Sequence, residues 1–195
     1  EADGEEYAAM LEYEEKVKFS LKEINRMTDT LEQLFQLARI DGNIPIPKLE
    51  QRSLATLIDE TLQRYNAAIS KKELRVDLMI DTDNEALVNG FYSDLIIDNI
   101  ISNAVKYSSE KGLIHISIDE INGSIRCRIK DNGIGINKND IENIYNNFFR
   151  SDALSHKSIS GDGLGLSIAK KAADAINARI SVSSKEGSGS TFTIE

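Results

Sequence analysis

The chain has only two prolines, Pro45 and Pro47, and they divide it into halves that obey different rules. Each bars the residue before it from helical geometry, so no helix is expected to cross this point. Gly42 suits a helix C-terminus, and the stretch over residues 42–48 reads as a domain boundary and a hinge. Upstream, from Glu5 to Ile40, there is no Pro or Gly, and the segment is rich in Glu, Lys and Leu. Met10, Tyr13, Val17, Leu21, Ile24, Leu31, Phe35 and Ala38, with Thr28 filling one slot, recur at steps of three and four. That is the seam of a coiled coil or helical bundle. A stripe so narrow is marginal alone in water, so the helix must pack on something. A dimer or bundle is the favoured setting, and a helix lying on its own domain is the other.

Downstream, strand and helix patterns interleave. Residues 55–70 read as one amphipathic helix, 74–80 as an alternating strand and 93–108 as a second helix. Residues 113–118 and 124–129 alternate around Asn122-Gly123, a strong hairpin signal. A short helix is expected over 139–148, another over 163–178, and a closing hairpin from 179–184 and 191–195. Tight hairpins among crossovers make the sheet mixed. The expected fold class is α+β, a sandwich with helices on one face of the sheet, preceded by the long amphipathic helix.

With 195 residues the chain can hold one good core plus an appendage. A net charge of -9 argues against nucleic acid or an anionic membrane as the main partner. The one cysteine, Cys127, lies in an alternating apolar stretch and reads as a buried structural thiol. No apolar run approaches the roughly 20 residues that span a bilayer. The chain opens on Glu-Ala-Asp-Gly without Met, as expected of a piece of a longer protein.

Four separated segments carry residue types suited to nucleotide phosphate. In Asn99-Ile-Ile-Ser-Asn103-Ala-Val-Lys106-Tyr107, the polar residues stand four and three apart and share a helix face. Amides on an apolar helix need partners, and a hydrated Mg²⁺ with its triphosphate is one; backbone or water is another. Asp131-Asn-Gly133-Ile-Gly135 ends a strand. Its carboxylate accepts hydrogen bonds only and can read an exocyclic amine, although taken alone a plain Asp-Asn-Gly turn is the better reading. Gly161-Asp-Gly163-Leu164-Gly165 runs into a helix whose free N–H groups suit phosphate. It matches neither the Walker nor the dinucleotide spacing. Gly187-Ser-Gly189-Ser-Thr191 closes the set, and alone would be a hairpin turn. Between Phe149 and Gly163 lies a long loop without periodicity, of the kind that often forms a mobile lid, from which Arg150 and Lys157 could reach phosphate. His115 and His156 lie near no acidic or cysteine cluster at metal-ligand spacing.

In this order the segments resemble the N, G1, F, G2 and G3 boxes of the sensor histidine kinases of two-component systems. These belong to the GHKL superfamily, whose Bergerat fold is an α/β sandwich with a lid over ATP. The likeness covers residues 49–195, while residues 1–41 resemble the second helix of the dimerisation and histidine-phosphotransfer bundle. It implies that Asn103 ligates Mg²⁺ and that Asn99 helps order the metal-phosphate site. Lys106 and Tyr107 would contact phosphates and lid. Asp131 would bind the adenine amine in a pocket shaped by Gly133 and Gly135. Phe148, Phe149 and Arg150 match the F box, Gly161, Gly163, Leu164 and Gly165 the phosphate loop, and Gly189 and Thr191 the closing box.

The resemblance further implies ATP and Mg²⁺ as ligands, a homodimer partner in the parent and a response-regulator receiver domain as phosphoryl acceptor downstream. It implies a cytoplasmic domain, with any membrane contact made through missing parts of the parent. Phe91 after Gly90, Asn147 and Asp162 depart from the usual pattern; none removes a core ligand, but each is placed to weaken charge interactions around the lid. No His stands in the family's His-Glu-x-x-x-Pro setting, since Ile116 follows His115 and Lys157 follows His156. The chain is therefore expected to bind ATP without containing its own acceptor. A silent nucleotide-sensing module and another GHKL ATPase are the alternatives. Against the latter stands Asn99, where hydrolysing relatives place Glu.

Overall fold

With no Pro or Gly from Glu5 to Ile40, the chain upstream of the linker forms one unbroken helix, α1 (Ala2–Asp41). Gly42 terminates it while still donating its N–H to the Ala38 carbonyl at 2.8 Å. The computed structural model describes the backbone of residues 2–42, 50–80, 86–121, 123–151 and 161–195, and side chains from residue 10 onward. Pro45, Pro47 and the hinge expected around them lie outside the described residues, as do Asn122, His156, Lys157 and most of the expected lid.

After the linker come β1 (Gln51–Ser53), α2 (Leu54–Arg64), α3 (Asn66–Lys71), β2 (Arg75–Ile80), β3 (Leu87–Asn89) and α4 (Gly90–Tyr107). Then follow β4 (Leu113–Ile121), β5 (Ser124–Asp131), α5 (Gly165–Ala175), β6 (Ile180–Ser184) and β7 (Ser190–Ile194). Five strands form one sheet in the order β2-β4-β5-β7-β6, and β1 pairs with β3 in a separate ribbon. The sheet is mixed: β2 runs parallel to β4, and every other pair in it is antiparallel. The expected fold class is thus the one observed.

One core holds the elements together. Ile96, Ile97, Ile100, Ile101, Ala104 and Val105 of α4 meet Ile168, Ala169, Ala172 and Ala173 of α5. Ile114, Ile116 and Ile118 of β4, Cys127 and Ile129 of β5, and Phe192 of β7 complete it from the sheet. Ile100 and Ile101 are wholly buried, so truncating either to Ala should cost about 2–5 kcal/mol.

Three expectations change. The helix over 55–70 breaks at Tyr65, whose φ and ψ of -95° and 4° are not helical. The break sends Arg64 to Asp94 and Asp98 of α4 and the Tyr65 hydroxyl to Asp98. No helix forms over 139–148; successive i→i+3 bonds make turns instead, with Asn143 N–H on the Asp140 carbonyl and Asn146 N–H on that of Asn143. Asn137 accepts from the Asn139 N–H at 3.0 Å, the local competition by which Asn disfavours helix. Lastly, α4 starts three residues early: Asn89 caps it by accepting from the Tyr92 N–H, and Gly90 lies so close to Arg52 and the Glu50 carbonyl that a side chain would clash.

The long helix lies on the domain. Leu37 is buried in its core, Asp41 pairs with Lys171 of α5, and Arg39 stacks 5.1 Å from the Phe91 ring centroid. The seam remains exposed, with Tyr13, Val17, Leu21, Ile24, Leu31 and Phe35 each more than half accessible. Of the two settings expected from the pattern, the one observed is the helix lying on its own domain, with its seam left exposed. Among the described residues no helix is long and apolar enough to cross a membrane.

Candidate functional site

The glycine segments and the end of α4 converge on one cavity of about 410 Å³. Asn103, Lys106, Tyr107, Asp131, Gly135, Phe149, Arg150, Gly161, Gly163, Leu164 and Gly165 all line it. Five other expected residues do not: Asn99, Gly133, Phe148, Gly189 and Thr191. Asn99 turns back on its own helix, its Nδ2 donating to the Leu95 carbonyl at 2.7 Å, and its Oδ1 faces Gly165. Gly133 sits behind Asp131, against the Tyr107 carbonyl. Thr191 points away because β7 alternates: Ser190 and Phe192, two apart on one face, line the cavity instead.

Asp131 closes β5 and is only 6% exposed. Its Oδ1 accepts from the Gly133 N–H at 2.8 Å and from the Ser190 N–H at 3.3 Å. Burial pushes its carboxyl pKa up, while these donors pull it back. Ile134, Ile136 and Ile144 add an apolar wall near it that no spacing rule had picked out. A buried acceptor beside apolar surface suits a flat heteroaromatic ring carrying an amine.

The other end of the cavity is cationic. Lys106 lies in the last turn of α4, with Nζ 5.4 Å from the Tyr107 ring centroid. Burial lowers its pKa, Arg150 lowers it further, and Asp162 raises it. Burial likewise raises the Tyr107 phenol. The turn carrying both residues is tied down from outside the site. Lys72 donates to the carbonyls of Val105, Lys106 and Ser108 at 2.9, 2.7 and 3.0 Å, capping the helix. Nothing in the sequence around Lys72 signals that role.

Two glycines make the approach possible. At Gly161 a Cβ would fall 2.0 Å from Lys106 Nζ, so only glycine leaves the ammonium its place. Gly163 has φ +73°, and a Cβ there would meet the Phe149 carbonyl oxygen at 2.6 Å. Between them stands Asp162, held from α1: Oδ1 accepts from Arg26 Nε and Nη2 at 3.3 and 3.2 Å, and Oδ2 from the Thr30 hydroxyl at 2.6 Å. Gln33 of α1 also lines the cavity. These helix residues, more than 120 positions away along the chain, had no local signal. Among the described residues, no group of three or more His, Cys, Asp or Glu side chains is arranged to hold a metal.

Residues 94–195 match the family model described as "Histidine kinase-, DNA gyrase B-, and HSP90-like ATPase". The chain is 32% identical over 195 residues to the sensor-like histidine kinase SenX3 of Mycobacterium tuberculosis, covering 99% of this chain and 46% of that protein. It is 32% identical over 182 residues to the sensor histidine kinase WalK of Bacillus subtilis, covering 88% of this chain and 28% of WalK. It thus spans less than half the length of either relative. Among solved structures, full-length ShkA in complex with AMPPNP shares the fold with a TM-score of 0.74 at 20% identity, covering 86% of this chain and 35% of that one. The mycobacterial sensor histidine kinase MprB does so with a TM-score of 0.63 at 21% identity, covering 74% of this chain and 94% of that one.

Proposed function

The chain belongs to the histidine kinase-, DNA gyrase B- and HSP90-like ATPase family, and we propose that its cavity binds ATP with Mg²⁺ for transfer of the γ-phosphoryl to a histidine. The acceptor histidine lies on a bundle helix outside this sequence, and the phosphoryl group passes from it to a response-regulator receiver domain. One observation carries this reading: Asn103, Lys106, Asp131 and the Gly161–Gly165 loop, distant in sequence, line a single cavity.

Each residue has a task its chemistry suits. Asp131 accepts from the adenine amine, and since both of its backbone bonds end on Oδ1, Oδ2 is the acceptor available. Lys106 and Arg150 offset phosphate charge, and the N–H groups opening α5 solvate it. Asn103 offers an amide oxygen to Mg²⁺, a hard cation that takes oxygen ligands and keeps several waters, so one protein ligand beside phosphate suffices. When bound, the ion neutralises charge on the phosphates. In the transfer, the acceptor nitrogen forms a bond to the γ-phosphorus as the bond to the ADP oxygen breaks. Little covalent work falls to this domain, whose contribution is positioning and electrostatics.

In the same reading α1 is the second helix of the dimerisation bundle, its exposed seam covered by a first helix and a second copy. Residues 42–48 are the hinge through which residues 49–195 reach the acceptor. Calorimetric titration with an ATP analogue and Mg²⁺ tests the site. Asn103→Asp and Gly163→Ala should each weaken binding at least tenfold, and chelation of Mg²⁺ should do the same to the native chain. Binding that survives all three changes would refute the assignment.

A further inference from the structure

The cavity has a charge problem for a polyphosphate ligand. Its lining carries two bases, Lys106 and Arg150, against four acids, Asp131, Asp140, Asp162 and Glu186. Asp131 Oδ1 is occupied by backbone donors and its Oδ2 is assigned to the adenine amine, and Glu186 accepts from Asn137 Nδ2 at 2.9 Å. Asp162 is the acid next to the phosphate loop's cation. It follows Gly161, whose Cα lies against Lys106 Nζ so closely that a methyl group would overlap it. Left to itself, a carboxylate there would pair with Lys106 and repel phosphate.

We propose that Arg26 and Thr30 of α1 are positioning residues for the phosphate end of the cavity, holding the Asp162 carboxylate so that Lys106 stays available to a polyphosphate anion. The inference rests on the ATP reading given above. Both carboxylate oxygens are taken from the helix, Oδ1 by the Arg26 guanidinium and Oδ2 by the Thr30 hydroxyl. The Asp162 side chain is 15% accessible and its Arg26 partner 49%, so the carboxylate is the desolvated member and the guanidinium cancels its charge where screening is weak. Gln33, one turn on from Thr30, lines the same cavity, which fixes this face of the helix against the site. The docked helix thus acts on the nucleotide through charge. By reciprocity, bound polyphosphate favours the docked helix.

The effect must scale with phosphate charge, and this separates it from a merely structural contact. The whole 195-residue chain is titrated with an ATP analogue plus Mg²⁺ and with ADP by calorimetry, and with adenosine by NMR. Arg26→Gln should weaken the ATP analogue about three- to fivefold, as expected for a half-exposed pair. It should weaken ADP less and leave adenosine unchanged. Arg26→Gln combined with Asp162→Asn should return to native affinity, since the charge needing compensation is gone, and Lys16→Gln on the same helix should have no effect. An equal loss for all three ligands, no loss for the ATP analogue, or no rescue by Asp162→Asn would each overturn the inference. If the native chain bound none of the three, the ATP reading itself would fall, and the inference with it. A native chain that binds beside an identical Arg26→Gln variant would sink the inference alone.

Discussion

Replacing Asp131 by Asn separates what this residue does for the ligand from what it does for the fold. The carboxyl pKa is raised by burial above the ordinary 3.8. A raised acid pKa means that the native chain holds the proton more tightly than the unfolded one. The group's favourable contribution is therefore full below 3.8 and is lost as pH rises through the raised value. At neutral pH the ionised side chain is a net cost to stability. Asparagine keeps an oxygen for the Gly133 and Ser190 N–H groups and removes that cost, so the thermal midpoint should stay level or rise. For the nucleotide the change is adverse. The atom facing the adenine amine becomes a donor, and a hydrogen bond to a charged acceptor worth about 1.5–3 kcal/mol is lost. That is about a 10- to 150-fold fall in affinity. Calorimetry with the ATP analogue and thermal unfolding of the unliganded chain read the two effects. An affinity within twofold of native, or a midpoint several degrees lower, would refute the reasoning, because then Asp131 serves the turn and not the ligand.

Two further outcomes follow from the site and the core. Affinity for the ATP analogue should decline as pH rises in the alkaline range below the ordinary 10.5 of lysine, because the lowered pKa of Lys106 sheds the ammonium that meets phosphate; a Lys106→Met chain, weaker throughout, should show a flat profile over the same range. Burial pushes the Cys127 thiol up to about 12, so native protein at pH 8 should resist alkylation and become reactive only on unfolding, as followed by mass spectrometry.

Elements dominated by a single period were readable in advance. The isoleucines of α4, the alternation of β4 and β5 and the proline-glycine break after α1 each placed their element within a few residues. Local competition was harder to see. Asparagines between 137 and 147 favour turns by bonding their neighbours' backbone, so the short helix expected over 139–148 did not form. The start of α4 was placed three residues late, because Gly90 permits a close contact with residues 50 and 52 that no helical spacing signals. The site divides the same way. Asn103, Lys106 and Asp131 were singled out by residue type and local spacing, and all three line the cavity. Asn99 has the same spacing, but its amide bonds to its own helix, an outcome that four-residue steps do not distinguish. Lys72 and the Arg26–Thr30–Asp162 cluster act through tertiary contacts, and no window of sequence contains both partners.

The position of β7 bears on how the chain is made. This strand lies inside the sheet, with β5 on one side and β6 on the other, and its register joins Lys130 to Thr191 and Cys127 to Ile194. During synthesis, β5 emerges some sixty residues before its neighbour and must wait with an open edge of unpaired N–H and C=O groups. A ribosome adding about 5–20 residues per second keeps that edge bare for several seconds. Ser190 and Phe192 of the same strand line the cavity, so the nucleotide site and the sheet are finished by one event. A nascent chain cannot present a working pocket on a half-built scaffold, and ligand can stabilise the domain only after its last strand has been threaded into place.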